Sequence, residues 1–147
     1  MAETVDAILQ HKGHDVWVVH PDDSVFAAVR LMADKGAGAL VVAIDGRVAG
    51  VVSERDCARR VVLEGKAPLD TRVGDIMTAP AVSVAPDHTV DECLRLMTDK
   101  RIRHLPVLEG GRLVGVVSIG DLVRHVISRQ SETIQFLEQY IEGRPAS

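Results

Sequence analysis

Two stretches of the chain share the pattern Gly-x-x-Ser-x-x-Asp: Gly50-Val51-Val52-Ser53-Glu54-Arg55-Asp56 and Gly115-Val116-Val117-Ser118-Ile119-Gly120-Asp121. Each reads as the end of a strand followed by a serine that opens a helix. Two chemistries fit. In the first, Ser-x-x-Asp is a capping box variant: the hydroxyl serves backbone N–H groups of the first turn, and the acid sits near the positive helix end. In the second, the same geometry serves a ligand. A strand running into a helix start exposes unpaired N–H groups and favours anions. A carboxylate one turn in can accept both hydroxyls of a ribose, as acidic residues do in dinucleotide folds. Serine would then bond phosphate or ribose, and aspartate would fix the sugar.

Other reactive residue types are less pointed. Arg55, Arg59 and Arg60 lie on a charged helix and fit a solvated face, with Arg55 an additional phosphate candidate. Cys57 and Cys93 fall in helical segments and read as core residues. No Cys or His spacing resembles a zinc site. His88 and His125 have no partners that suggest metal or catalysis. Nothing supplies an activated nucleophile with an adjacent base, as a hydrolase requires.

The elements that position these residues come from a repeat. Shifted by 65 residues, Val19–Val62 lies over Val84–Ile127 without a gap, and 20 of 44 pairs are identical. Pro21-Asp22 meets Pro86-Asp87, Arg30-Leu31-Met32 meets Arg95-Leu96-Met97, and Gly50-Val51-Val52-Ser53 meets Gly115-Val116-Val117-Ser118. Two copies of one supersecondary unit are present. In the first copy Val16–Val19 is a short strand closed by Pro21. Ser24 caps a helix with Val25, Ala28, Val29 and Met32 on one stripe, and Gly36 ends it. Ala39–Ile44 is a continuous apolar run, hence a strand buried on both faces. Asp45-Gly46 turns the chain, and Val48–Val52 returns as a third strand. Ser53 then opens a helix carrying Cys57, Ala58, Val61 and Val62. The second copy repeats the order. It has a capping box at Thr89-x-x-Glu92, a turn at Glu109-Gly110-Gly111, and a last helix lined by Leu122, Val123, Val126 and Ile127. The fold class is therefore mixed α/β, two βαββα units. A three-stranded sheet with two helices is too small to bury its own apolar face, so the copies are expected to share one core.

The chain has 147 residues, 46% of them hydrophobic, so a sizeable core can form. A net charge of -4 argues against a nucleic-acid partner. No run reaches the roughly 18 apolar residues of a membrane span. The segment Met1–Asp6 lacks the basic start and apolar stretch of a signal peptide. Reduced, unpaired cysteines fit a cytoplasmic setting. The expected organisation is a first repeat over residues 8–66, a linker over 67–75, a second repeat over 76–130, and an amphipathic helix and tail over 131–147. In that tail Ile134, Leu137, Tyr140 and Ile141 share a helical face, and Val5, Ile8 and Leu9 have the same character at the other end.

The sequence resembles the cystathionine-β-synthase (CBS) domain family, whose tandem pair is called a Bateman module. The resemblance covers about residues 8–130. It rests on Gly-x-x-Ser-x-x-Asp in both repeats, on Arg103-His104-Leu105-Pro106-Val107, and on Asp75-Ile76-Met77-Thr78. It implies two repeats packed with pseudo-two-fold symmetry and adenosine ligands (AMP, ADP, ATP or an NAD(H)-type compound) between them. It implies ribose contacts from Asp56 and Asp121, with Ser53 and Ser118 near the sugar-phosphate. It further implies that the basic pair Arg103-His104 reaches the phosphate held by the other repeat. Gly38 and Ala39 stand at the equivalent positions of copy one, leaving room for adenine beside Asp56 but no cation for the Asp121 site. Thr78 and the backbone at Ile102 and Arg103 would line the adenine pocket. Copy one departs from the family at Val41, where copy two has Pro106. It also has Lys12-Gly13-His14 where copy two has Met77-Thr78-Ala79. The implied role is a regulatory sensor, not an enzyme, acting as a homodimer on a separate protein target. A ligand-free dimerisation module and a nucleotide-processing enzyme are the competing readings.

Overall fold

The computed structural model describes residues 3–141. The chain runs α1 (Val5–Lys12), β1 (Val18–Val19), α2 (Val25–Lys35), β2 (Ala39–Ile44), β3 (Arg47–Ser53) and α3 (Glu54–Cys57), the last continued by a π-helical stretch, Ala58–Val62. It then runs α4 (Val73–Ile76), α5 (Val90–Lys100), β4 (His104–Glu109), β5 (Arg112–Ser118) and α6 (Ile119–Ile141). The mixed fold class and the duplicated order are as the sequence predicts. β2 and β3 form an antiparallel hairpin with β1 parallel on the outer edge of β2. β4 and β5 repeat the hairpin, down to the same register shift beside the glycine, Gly50 opposite Val42 and Gly115 opposite Val107.

Local rules account for most of this. Asp45 and Gly46 both have positive φ, 50° and 81°, which gives the hairpin its tight turn. Ser24 accepts from the Ala27 N–H, and Thr89 forms a reciprocal capping box with Glu92. The first strand is shorter than the apolar run Val16–Val19. An edge strand gains ladder bonds on one side only, so little holds its ends. In the second repeat it contracts to a single parallel bridge, Val84 with Val107.

Packing departs from the local reading in three places. First, the repeats exchange helices. Val5, Ile8 and Leu9 of α1 are buried in the core of the second repeat, against residues such as Cys93, Leu105 and Leu122. Val73 and Ile76 of α4 are buried in the core of the first, with Val25, Met32, Leu40 and Val61. Each sheet-and-helix unit is thus closed by the segment that precedes the other. Second, the buried helix stripes are narrower than expected. Val25, Ala28 and Met32 are buried but Val29 is exposed; Val61 and Leu122 are buried but Val62, Val123 and Ile127 are exposed. A helix lying on a sheet buries one turn-to-turn line, and the flanking apolar positions face outward. Third, Ser131–Ile141 is no separate helix but the continuation of α6. Residues 142–147 and the side chain of Tyr140 lie outside the described residues.

Cys57 and Cys93 are buried and unpaired. Burial, and for Cys57 the neighbouring Asp56 and Glu54 carboxylates, pushes each thiol up to about 11, so both stay protonated and inert at neutral pH. Among the described residues no helix is long and apolar enough to cross a membrane.

Candidate functional site

The two Gly-x-x-Ser-x-x-Asp stretches sit where β3 meets α3 and β5 meets α6, and the capping reading holds at both. Asp56 Oδ2 accepts from Ser53 N at 2.9 Å and Ser53 Oγ at 3.0 Å, and the Asp56 N–H returns a bond to Ser53 Oγ at 3.1 Å. Asp121 Oδ2 accepts from Ser118 N at 2.8 Å. The glycine of the pattern has a packing role. A Cβ on Gly50 would lie 2.6 Å from the Thr78 carbonyl oxygen, and one on Gly115 would lie 2.8 Å from Leu9 Cδ2. Each glycine lets the strand take up the segment that precedes the second or the first repeat. For Gly50 that contact is a two-way backbone bridge, Thr78 N–H to Val51 O at 2.9 Å and Val51 N–H to Thr78 O at 3.0 Å. It brings Thr78 beside Asp56.

A cavity of about 520 Å³ opens at this point, within the range of small-molecule sites. Eight of the residues picked from sequence line it: Gly38, Ser53, Arg55, Asp56, Thr78, Ile102, Arg103 and His104. Both repeats contribute. Ala39 does not line it, although its cross-strand partner is Ser53. Arg59, Arg60 and Arg101 also line it. The first two were readable as a solvated face, and periodicity could not separate that from a cavity wall. Arg101 could have been found from the repeat alignment, where it replaces Gly36.

The electrostatics are lopsided. Five arginines (55, 59, 60, 101 and 103) face two carboxylates, Glu54 and Asp56, in a chain whose net charge is -4. Arg60 is partly committed, donating to the Ile76 carbonyl at 3.1 Å. Asp56 Oδ1 has no hydrogen-bond partner among the described residues, so it can accept from a ligand donor. The helix start is less open to anions than the sequence suggests. Glu54 N–H donates to the Gly38 carbonyl at 3.0 Å, and Ser53 and Asp56 N–H groups serve the capping box. Guanidinium groups, not helix-start amides, therefore supply the positive potential.

His104 packs against Gly38 at the cavity wall. Its Nε2 would lie 3.2 Å from a Cβ on Gly38, so the glycine makes room for the imidazole. Burial, reinforced by the Lys12 ammonium, holds His104 below the ordinary histidine value. It enters the cavity as a neutral hydrogen-bonding group, and Arg103 alone carries charge from that pair.

The second crevice differs more than the neutral Gly38 and Ala39 suggest. Lys12 Nζ reaches Asp121 Oδ2 at 2.7 Å and the Val116 carbonyl at 2.7 Å, and Arg124 takes Asp121 Oδ1 at 2.7 Å. Val116 is the counterpart of Val51, so the ammonium occupies the place that the Thr78 N–H fills in the first site. The Asp121 side chain keeps 7% of its exposure. Burial alone would raise its pKa, but the Lys12 and Ser118 hydrogen bonds outweigh that and hold the carboxyl below its usual range. Both Asp121 oxygens are thus engaged by the chain itself, and Ser118 sits beside an occupied carboxylate. Among the described residues no cluster of His, Cys, Asp and Glu could hold a metal ion.

Comparison with known proteins follows the same division. The model of the CBS domain matches residues 9–63 and 73–128. The chain is 39% identical over 150 residues to CBSX3, a mitochondrial CBS domain-containing protein of Arabidopsis thaliana, across 95% of this chain and 72% of that one. It superposes on the solved structure of a protein with CBS domains from Burkholderia ambifaria MC40-6 with a TM-score of 0.83 and 49% identity, over 86% of this chain and 96% of that one. A hexameric CBS-CP12 protein from bloom-forming cyanobacteria gives a TM-score of 0.76 and 31% identity, over 84% of this chain and 71% of that one.

Proposed function

Because the chain belongs to the CBS domain family and carries the domain twice, we propose that it is a regulatory module that binds an adenosine compound between its repeats. The observation that carries this reading is the cavity itself: an aspartate with one carboxylate oxygen unused, set among Arg55, Arg59, Arg101 and Arg103. A diol donor and a phosphate tail are the chemistry that such a wall complements. Asp56 takes the ribose hydroxyls, Ser53 supports them, and the arginines take phosphate. Thr78, Ile102 and the bare backbone at Gly38 border the base. AMP, ADP, ATP and an NAD(H)-type compound all present these groups. With the Asp121 carboxylate occupied by Lys12 and Arg124, one competent site per chain follows.

The reading is of binding and not catalysis, with the signal passed to a separate protein. A ligand shifts such a module only by its differential affinity for two states. The cytoplasm is the compartment that suits its free thiols; fractionation tests this, with a mitochondrial location as the alternative set by the plant relative. The decisive experiment is mass spectrometry of small molecules released from the purified chain, followed by calorimetric titration of the compound found. Arg103→Ala should then weaken phosphate-bearing ligands more than adenosine. Equal losses, or no adenosine compound bound at all, would remove the reading. Incubation with ATP and analysis of products excludes or reveals turnover.

A second reading, assembly through α6, is favoured by a specific feature. Val123, Ile127, Ile134, Leu137 and Ile141 are exposed and recur at three- and four-residue steps, with Gln130 completing the series. That is the seam of a helix that pairs with another. A homodimer is the simplest occupant, and sedimentation of the chain against an Ile134→Asp, Leu137→Asp variant tests it. The two readings are compatible.

A further inference from the structure

Arg60 lines the cavity, but its guanidinium is turned to the chain. α4 has four residues, so its last carbonyls have no intrahelical donor, and four positions beyond Ile76 stands Pro80, which has no N–H. Arg60 Nη1 supplies the donor, to Ile76 O at 3.1 Å and to Met77 O at 3.4 Å. Thr78 follows at once, held by its two-way bridge to Val51 of β3. The chain then crosses to the second repeat, where Val84 pairs with Val107. Thr78, Ala81 and Val82 of that crossing line the cavity. The helical run that carries Asp56 therefore also grips the root of the crossing. The run has a local feature at the grip. Over Ala58–Val62 it widens to a π-helix, with the Leu63 N–H on the Ala58 carbonyl at 3.0 Å; turns of that kind gather at functional sites. In the second repeat the equivalent stretch is part of the regular helix α6. His125 stands at the position of Arg60, and its Nε2 is buried with no hydrogen-bond partner among the described residues. The clamp is thus built beside the open carboxylate of Asp56 and not beside Asp121.

We infer that Arg60 is a positioning residue and not a phosphate contact: by holding the end of α4 it fixes the crossing Thr78–Val82 against the base of the adenosine compound. This rests on the nucleotide reading of the cavity. A site that is competent for only part of the time weakens every ligand by the same factor. Loss of the clamp therefore costs adenosine and ATP equally, whereas loss of a phosphate contact costs ATP alone.

The test uses the full chain with Arg60→Met, which keeps the apolar stem and removes the donors, and Arg60→Lys, which restores a donor. Hydrogen exchange is followed first, without ligand. In Arg60→Met the Thr78 and Val51 amides should exchange roughly tenfold faster, the loss of one charge-assisted bond. The amides of Leu40 and Val52, paired across β2 and β3, should keep their rates. A rise shared by all four amides shows general loosening and overturns the clamp, as do four unchanged rates. In calorimetric titration Arg60→Met should bind adenosine and ATP each roughly tenfold more weakly, and Arg60→Lys should recover part of both losses. A loss confined to ATP makes Arg60 a phosphate contact and overturns the positioning role. An unaltered chain that binds neither compound refutes the nucleotide reading, and this inference with it; one that binds both while Arg60→Met binds them as well refutes only the role of Arg60.

Discussion

Replacing Asp56 by alanine removes two things at once, and their magnitudes separate them. The carboxylate is the acceptor for Ser53 N at 2.9 Å and Ser53 Oγ at 3.0 Å. Losing half of a capping box costs about 1 kcal/mol, because Ser53 Oγ can still accept from the backbone N–H of residue 56. For a chain of this length that lowers the melting temperature by about 3 °C, and the domain stays folded. The ligand effect is larger. Two ribose hydroxyls on a carboxylate make charge-assisted bonds of about 1.5 kcal/mol each at the low end. Their loss weakens binding by about 3 kcal/mol, or roughly 150-fold. Asp56→Asn can keep an oxygen at the unused position only by turning its NH2 towards the Ser53 N–H, so it loses the charge and that capping bond but retains one ligand acceptor, and it should fall between, weaker by roughly tenfold. The assay is calorimetric titration with the adenosine compound found bound, with circular dichroism to verify folding. A folded Asp56→Ala protein that binds within about threefold of the unaltered chain would show that this residue only caps its helix. The ribose assignment would then be wrong, whatever else occupies the cavity.

Three further outcomes follow from named contacts. Lys12→Ala combined with Arg124→Ala frees the Val116 carbonyl and Asp121 Oδ1 and leaves Oδ2 with its Ser118 bond, as Asp56 Oδ2 has with Ser53, so adenosine titration should reveal a second, weaker site per chain; a stoichiometry still at one would mean that these two cations are not what closes it. Gly50→Ala forces a methyl group to within 2.6 Å of the Thr78 carbonyl oxygen. It should cost about 2 kcal/mol by denaturant unfolding and weaken ligand binding, and a neutral result would refute the close approach. Burial and Lys12 hold His104 below its ordinary value of 6.5, so folding favours the neutral imidazole. That contribution is full above the unfolded value and is lost as pH falls through the lower folded one. Melting scans from about pH 7.5 to about pH 5 should therefore show a decline that His104→Gln makes shallower, and identical profiles would exclude His104 as its source.

Much of this protein is legible without coordinates, and the reason is range. Capping boxes, the Asp45-Gly46 turn and the apolar period of the strands act over a few residues, and the 65-residue repeat states the duplication outright. The Gly-x-x-Ser-x-x-Asp stretches are likewise local, which is why Ser53 and Asp56 could be singled out. Their surroundings could not be derived in that way. α1 fills the core of the second repeat, not the first, because the exchange of helices is decided by which apolar surface is left open once both sheets have formed. Arg59 and Arg60 looked like a solvated face because helical period does not say what lies across a gap. Lys12 meets Asp121 across 109 residues of chain. Only the packing of one repeat on the other brings an ammonium to the second carboxylate and leaves the first one open. The sequence by itself determined that the Gly-x-x-Ser-x-x-Asp stretch is built twice and, through Gly38 and Ala39 opposite Asp121, that its two settings are unequal; the tertiary structure decided that Lys12 and Arg124 engage Asp121 while Asp56 Oδ1 stays open, because a charge is neutralised by whatever the fold sets within reach.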